Sequence, residues 1–313
     1  MEKSSKTEIK SALILFITAV VWGCAFVAQS VGGELVGPYT YNFIRYLIGG
    51  LVLIPVIIFR DKKSISHKPV TQKEKKDLLT AGLICGIILC VATNLQQVSF
   101  TLGSTAGNAG FLTACYIIIV PIIGIFFHKK VGLNIVISVI IAVVGLYLLC
   151  IDGPLKFNAA DTCLLLCALA FSFHIITIDN FGNRVDGVRL SSMQFFIAGL
   201  LSFIPMIIWD MHMDITLVFG IRRFFVDYHS LIPILYGGIM SCGVAYTCQI
   251  IGQKGLNPSV ASLIMSLESV FSVLAGLVIL GELLTLKETI GCLLLFAAVV
   301  LAQINIFKKK ETK

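Results

Sequence analysis

Between short clusters of charge, this chain runs in apolar stretches of roughly 18 to 23 residues, the length of helix that crosses about 30 Å of hydrocarbon at 1.5 Å per residue. That repeated length constrains the fold more than any motif. Hydrophobic residues make up 57% of the sequence and charged residues 13%. A chain so composed cannot clothe a water-facing surface, so most of it must face lipid. The stretches are not the alternating ten-residue pieces of a membrane β-barrel. The pattern predicts an all-α integral membrane protein of ten transmembrane helices, over 12–31, 39–59, 78–99, 105–127, 133–151, 161–181, 190–209, 231–251, 259–280 and 288–307.

The breaks carry turn chemistry: Gly37-Pro38, Gly103-Ser104, Gly153-Pro154, Gly182-Asn183 and Asn257-Pro258. Asn257 reads as an N-cap with Pro258 at the first helical position, where a missing N–H costs nothing. The first stretch imitates a leader ending at Trp22-Gly23-Cys24, but Trp22 is too bulky beside a cleavage point and the apolar run continues through Val31. It is read as the first span. The ten cysteines all lie inside apolar stretches, with no CxxC pair and no histidine at zinc spacing, so they read as small core residues. No metal or cofactor is expected.

With the amino terminus in the cytoplasm, nineteen lysines and arginines fall in inside segments and four in outside loops; Arg45, within a span, completes the 24. That asymmetry places both termini inside a cytoplasmic membrane. The net charge of +7 then reflects cytoplasmic loops, and nucleic acid is not expected as a partner. The lysine-rich 60–77 stretch reads as a loop beside anionic headgroups, so membrane lipids are expected partners. Residues 211–230 form the longest outer loop, with Ile215 to Phe225 as a candidate interfacial helix.

The chain also repeats itself. At a shift of 152 residues, Gly86 meets Gly238, Cys90 meets Cys242, Gln97 meets Gln249, Gly103 meets Gly255 and Gly124 meets Gly276. At a shift of 150, Ile54-Pro55 lies on Ile204-Pro205. Apolar helices match easily by chance, whereas Gln, Gly and Pro in register across several spans do not. The expectation is two halves, 1–153 and 154–313, of five helices each. Because five is odd, the second half enters the membrane from the opposite side, giving two inverted repeats.

Trp22-Gly23-Cys24-Ala25-Phe26-Val27-Ala28, Gly107-Asn108-Ala109-Gly110-Phe111-Leu112-Thr113 leading to Tyr116 and Pro121, and Ser266-Leu267-Glu268-Ser269-Val270-Phe271 ending in Leu280-Gly281-Glu282 together resemble the drug/metabolite transporter superfamily, EamA type. The resemblance runs in order along nearly the whole chain. It implies a ten-helix carrier whose central cavity is lined mainly by spans 1, 3, 4, 6, 8 and 9. Such carriers move amino acids, nucleobases, other metabolites or drugs, often outward and often with protons. Two departures stand out: Ser269 where the family often has proline, which leaves the kink of span 9 without its usual cause, and Lys129-Lys130 where the first half would carry Gly-Glu.

Ionisable groups at bilayer depth cost at least about 2.5–3.5 kcal/mol, so each needs a reason. Glu268 sits near the middle of span 9 with no charge close by in its own helix. It reads as a cavity residue for cationic groups or protons, or else as a protonated side chain locking helices together. His174 in span 6 is the other candidate for proton coupling or substrate contact, with a bond to a backbone carbonyl as the alternative. Asn94, Gln97, Asn108, Tyr116 and Gln249, joined by Trp22 and Gln29, form an uncharged polar set that either lines a pathway or ties helices together. Asp179 reads as a helix-end residue or a partner of Arg184, and Arg45 as snorkelling or paired with Glu34, with contact to substrate as the alternative. Pro121 interrupts span 4, freeing a carbonyl near Ile117.

No P-loop, no HExxH and no GxSxG on a nucleophile elbow is present, and no soluble segment exceeds roughly 20 residues. The reading is a secondary transporter, not an enzyme, for a small amino acid-like, nucleobase-like or drug-like molecule, exporting by alternating access and coupled to protons. A second copy of the chain is a further expected partner. The alternatives are a non-transporting scaffold or sensor, and an intramembrane enzyme acting on a lipid-linked substrate.

Overall fold

A hydrocarbon environment offers backbone groups no water, so each segment must satisfy its own amides, and helices follow. The computed structural model describes residues 2–66, 68–128, 131–150, 158–211, 228–280 and 285–303, and they contain no strand. In chain order the helices are α1 (Glu2–Val36), α2 (Pro38–Lys62), α3 (Gln72–Thr101), α4 (Ala106–Phe126), α5 (Leu133–Cys150), α6 (Ala159–Phe181), α7 (Gly187–Asp210), α8 (Leu231–Gln253), α9 (Pro258–Leu280) and α10 (Leu286–Gln303). Nine of the described helices are long and apolar enough to span a membrane; the apolar part of α5, Leu133–Leu149, is shorter. Gly153-Pro154, the Ile215–Phe225 stretch, Lys129-Lys130 and Gly281-Glu282 lie outside the described residues.

Local chemistry sets the ends. Thr71 accepts the Glu74 amide at 3.2 Å while the Glu74 carboxylate accepts the Thr71 amide at 3.0 Å, a reciprocal cap for α3. Asn158 and Asp161 repeat the device at α6, both bonds 3.0 Å long. Asn257 caps α9 by accepting the Ser259 amide at 2.9 Å, with Pro258 behind it as the sequence predicts. At α2 the cap comes from another helix: the Asp210 carboxylate at the end of α7 accepts the Thr40 amide at 2.7 Å and its hydroxyl at 2.8 Å. Gly37 permits this with φ +93°, and a Cβ there would lie 2.6 Å from Asp210.

Packing follows a two-fold rule. The α1–α8 contact is matched by α6–α3, α1–α9 by α6–α4, and α2–α8 by α7–α3, while α2–α7, α4–α9 and α5–α10 pair with themselves. Each first-half helix thus meets the partner that its second-half equivalent meets in return. Side chains such as Leu13, Ile58, Phe126, Leu200 and Leu293 point outward and form the lipid-facing surface.

The α5–α10 seam depends on backbone approach. A Cβ on Gly145 would stand 3.0 Å from the Gly291 carbonyl oxygen, and one on Gly291 would stand 2.7 Å from that of Gly145. Gly145→Leu is expected to lower stability by about 1–3 kcal/mol through overpacking. Lipid-facing Leu293→Ala should change it little. Thermal melting of the two variants in one detergent checks this, and equal melting points would contradict the seam.

Candidate functional site

Two helices are broken where they cross. α4 divides at Cys115 into Ala106–Ala114 and Tyr116–Phe126, and α9 divides at Ser266-Leu267 into Pro258–Met265 and Glu268–Leu280. The α4 break precedes Pro121, which lies inside the second segment rather than at the interruption. The α9 break needs no proline. Ser262 and Ser266 hydroxyls donate back to the Ser259 and Leu263 carbonyls at 2.9 and 2.8 Å, and the Ser269 amide closes a tight turn onto Ser266 at 3.1 Å. Such back-bonding draws carbonyls away from the regular ladder. The kink left without a cause by Ser269 therefore arises from serines, and the Ser269 hydroxyl itself donates to the Gly110 carbonyl on α4 at 3.1 Å.

Each break leaves a half-helix N-terminus inside the protein, where amide dipoles favour negative charge. Tyr116 and Glu268 head these half-helices, 152 positions apart, and the Tyr116 hydroxyl donates to Glu268 Oε1 at 3.0 Å. Glu268 is 4% exposed. The residues equated by the internal repeat meet each other at the centre of the molecule.

Around this pair lies a small cavity of about 30 Å³. Its polar lining residues include Trp22, Gln29, Arg45, Gln249 and Glu268, and its apolar ones Phe26, Phe171, Ile175 and Met265. Gln96, Thr113, Tyr116, Ser241 and Tyr246 complete it, with Gln96 donating to the Thr113 hydroxyl at 3.1 Å. Ser241 and Tyr246 belong to a π-helical stretch of α8, Tyr236–Tyr246. Widened turns of this kind free carbonyls, and that of Ala245 accepts the Thr18 hydroxyl at 3.2 Å.

Arg45 is 1% exposed. Its Nη1 donates to Gln29 Oε1 at 2.9 Å, and its guanidinium carbon lies 5.4 Å from the Tyr41 ring centroid and 5.1 Å from that of Tyr46. Its Nε and Nη2 have no hydrogen-bond partner among the described residues. Those two atoms form the side-on edge that grips a carboxylate with two parallel bonds. Trp22 Nε1 and Gln249 Oε1 are also without partners among the described residues. No ion pair joins Arg45 to Glu268 among the described residues, although both line the cavity.

The profile of the EamA-like transporter family matches residues 9–151 and, a second time, residues 158–303. The chain belongs to the EamA-like transporter family. It is 27% identical over 293 residues to an uncharacterized transporter of Archaeoglobus fulgidus, covering 93% of this chain and 85% of that one. It is 22% identical to the uncharacterized inner membrane transporter YicL of Salmonella typhimurium, over 95% of this chain and 96% of that one. It is 19% identical to the uncharacterized transporter YoaV of Bacillus subtilis, over 96% and 99% of the two chains. A solved crystal structure shares the fold at TM-score 0.73 and 16% identity, over 94% of this chain and 96% of that chain.

Within this EamA-like bundle, Trp22, Gln29, Tyr116, Gln249 and Glu268 of the sequence candidates reach the cavity. The other four sit elsewhere. His174 is fully buried beside the cavity wall, its Nε2 3.0 Å from Gln194 Oε1 and its ring edge-on to Tyr246 and Phe171. Asn94 joins a polar seam, accepting from Asn42 at 2.7 Å and donating to the Ser202 hydroxyl at 3.0 Å. Gln97 donates to the Gln29 backbone carbonyl at 2.7 Å, so it braces α1 while its repeat mate Gln249 faces the cavity. Asn108 ties α4 to α6 by donating to Asp161 at 2.8 Å. Conversely, Arg45 is buried, pairs with no acid among the described residues, and brings α2 into the lining. Gln96, Thr113, Ser241 and Tyr246 carried no signal that separates lining from packing.

The Tyr116–Glu268 bond should be measurable as a coupling. A double-mutant cycle of Tyr116→Phe and Glu268→Gln is expected to give about 1–3 kcal/mol of interaction energy in reversible unfolding. Strict additivity of the two would mean that the bond is not formed.

Proposed function

We propose that this protein is a secondary transporter for a small zwitterion with an apolar side chain, of the kind a neutral amino acid represents. The observation that carries the reading is the buried Arg45 fork and the Glu268 carboxyl lining one cavity together with apolar side chains. A cargo carboxylate satisfies the Nε–Nη2 edge, and its ammonium group meets Glu268 and the carbonyl side of Gln249. Phe26, Phe171, Ile175 and Met265 receive the side chain. The cavity holds about 30 Å³ in this conformation, so cargo binding requires the two halves to part around it.

Movement is by alternating access between two inverted halves, with boundaries near 153 and 154. The double profile match and the exchangeable helix contacts support this. The lysine-rich loops lie on the cytoplasmic side of a cytoplasmic membrane, with both termini there, on the strength of the nineteen-to-four charge split. The direction is outward, a reading carried by the family resemblance. Protons are the counter-ion, and Glu268 carries them: its described polar partner is the Tyr116 hydroxyl, so cargo ammonium and proton compete for one carboxylate. His174, held against Gln194, is assigned no part in that exchange.

In proteoliposomes, neutral amino acids such as L-leucine should show saturable counterflow. Isoamylamine and 4-methylvalerate, each lacking one of the two charged groups, should compete at least about tenfold more weakly, the cost of one unmade charged hydrogen bond. Arg45→Lys should abolish counterflow, because an ammonium lacks the fork. Equal competition by the amine or the acid would sink the zwitterion reading. Separately, Glu268→Gln should retain exchange of cargo for cargo but lose acceleration by a pH gradient. Retained acceleration would remove Glu268 from proton coupling.

A further inference from the structure

The central cavity is not the only one. A second cavity, of about 290 Å³, lies at the lysine-rich end of the bundle between the end of α6 and the α8–α9 connection. Asp179, Asn183, Gln253 and Lys254 supply its polar groups, and Ile178 and Leu256 its apolar surface. Gln253 is 3% exposed, and neither its amide nitrogen nor its amide oxygen has a hydrogen-bond partner among the described residues. Burying such a group unsatisfied is costly, so a wholly unmatched amide lining a cavity calls for a resident partner.

Helical register connects the two spaces. On α8, Gln249 lines the central cavity and Gln253, one turn further, lines the second. On α6, Ile175 faces the first, and Ile178, Asp179 and Gly182 face the second. Residues three, four and seven apart share a helix face, so both helices present one continuous strip to both cavities. The rise between Gln249 and Gln253 is about 6 Å, comparable to the length of a small zwitterion. Both glutamines have an unmatched carbonyl oxygen, so the strip offers the same acceptor twice.

The end chemistry suits the same cargo. The C-terminus of α6 turns its last carbonyls toward this region, where the helix dipole is negative, and Asp179 adds an acid. Lys254, which donates to the Val185 carbonyl at 3.0 Å, lines the same cavity as the cation.

We propose that this cavity is a second binding station for the zwitterion, on the cytoplasmic side, with Gln253 as its receiving group and the Gln249–Gln253 strip as the path between stations. The inference rests on the zwitterion reading of the central cavity. Equilibrium binding of tritiated neutral amino acids, L-leucine first, to the full-length protein in detergent tests it. The wild type should bind two molecules per chain. Gln253→Leu should bind one, Arg45→Met should bind one, and the double variant none. Helicity and thermal melting verify that each variant is folded, and Gln253→Met serves where Gln253→Leu is not. One molecule per chain in both wild type and Gln253→Leu overturns the second station while leaving the central site standing. No binding of any neutral amino acid to the wild type overturns both readings together.

Discussion

The crossing of α4 and α9 at the Tyr116–Glu268 hydrogen bond is the point on which the rest of the bundle turns. A continuous helix presents only side chains to its neighbours, because its amides and carbonyls are consumed internally. Breaking two helices at the same depth releases backbone polarity where no water is otherwise expected, and this polarity has to be contained by protein. The Ser269–Gly110 bond contains part of it, and Tyr116 with Glu268 contains another part. The cavity is what the remaining helices enclose around that crossing. α1 can come close enough to wall it because Gly23 meets the α9 backbone, where a Cβ would stand 2.8 Å from the Glu268 carbonyl oxygen.

Away from the crossing, the α2–α7 pair is fastened at both ends, by different chemistry. At one end the Asp210 carboxylate caps the first turn of α2. At the lysine-rich end Arg189 grips Asp61 with both oxygens at 2.6 Å, and Arg60 reaches Asp186 at 3.2 Å while Asp186 also caps α7. Ion pairs in partly exposed positions contribute little individually, but these two pairs are placed by helix ends, where Asp186 also accepts the Arg189 backbone amide at 3.1 Å. Two halves related by a repeat therefore close their ends unequally. Arg45 sits between those fasteners on α2, so the seam that holds the bundle also positions the cation of the cavity.

Much of the fold was legible in the sequence, because solvent selection by a bilayer acts on length and composition alone. The ten apolar stretches, the Asn257-Pro258 start of α9 and the equivalence of Gln97 with Gln249 needed no coordinates. The site was legible in part. Glu268 stands out because a carboxyl in an apolar run is expensive wherever it points. Asn94 and Asn108 are equally expensive by that measure, yet they bond to neighbouring helices, and Gln96 outranks the more prominent Gln97 as a lining residue. Polarity in a span says that a partner is required. Whether the partner is another helix or a cargo depends on which face turns inward.

By itself, then, the sequence determined the membrane class, the apolar helical segments, the repeated family pattern and the need for a partner at every buried polar side chain. These are properties of segments, readable one helix at a time from transfer energetics. Only the tertiary structure decided which of those needs are met within the protein. It gave Asn94, Asn108, Gln97 and His174 partners on adjacent helices, and it left the Nε–Nη2 edge of Arg45 and both ends of the Gln253 amide buried with no hydrogen-bond partner among the described residues. The reason is physical: hydrogen bonding between helices depends on rotation and depth to within about an ångström, and only the packing of all ten helices sets those.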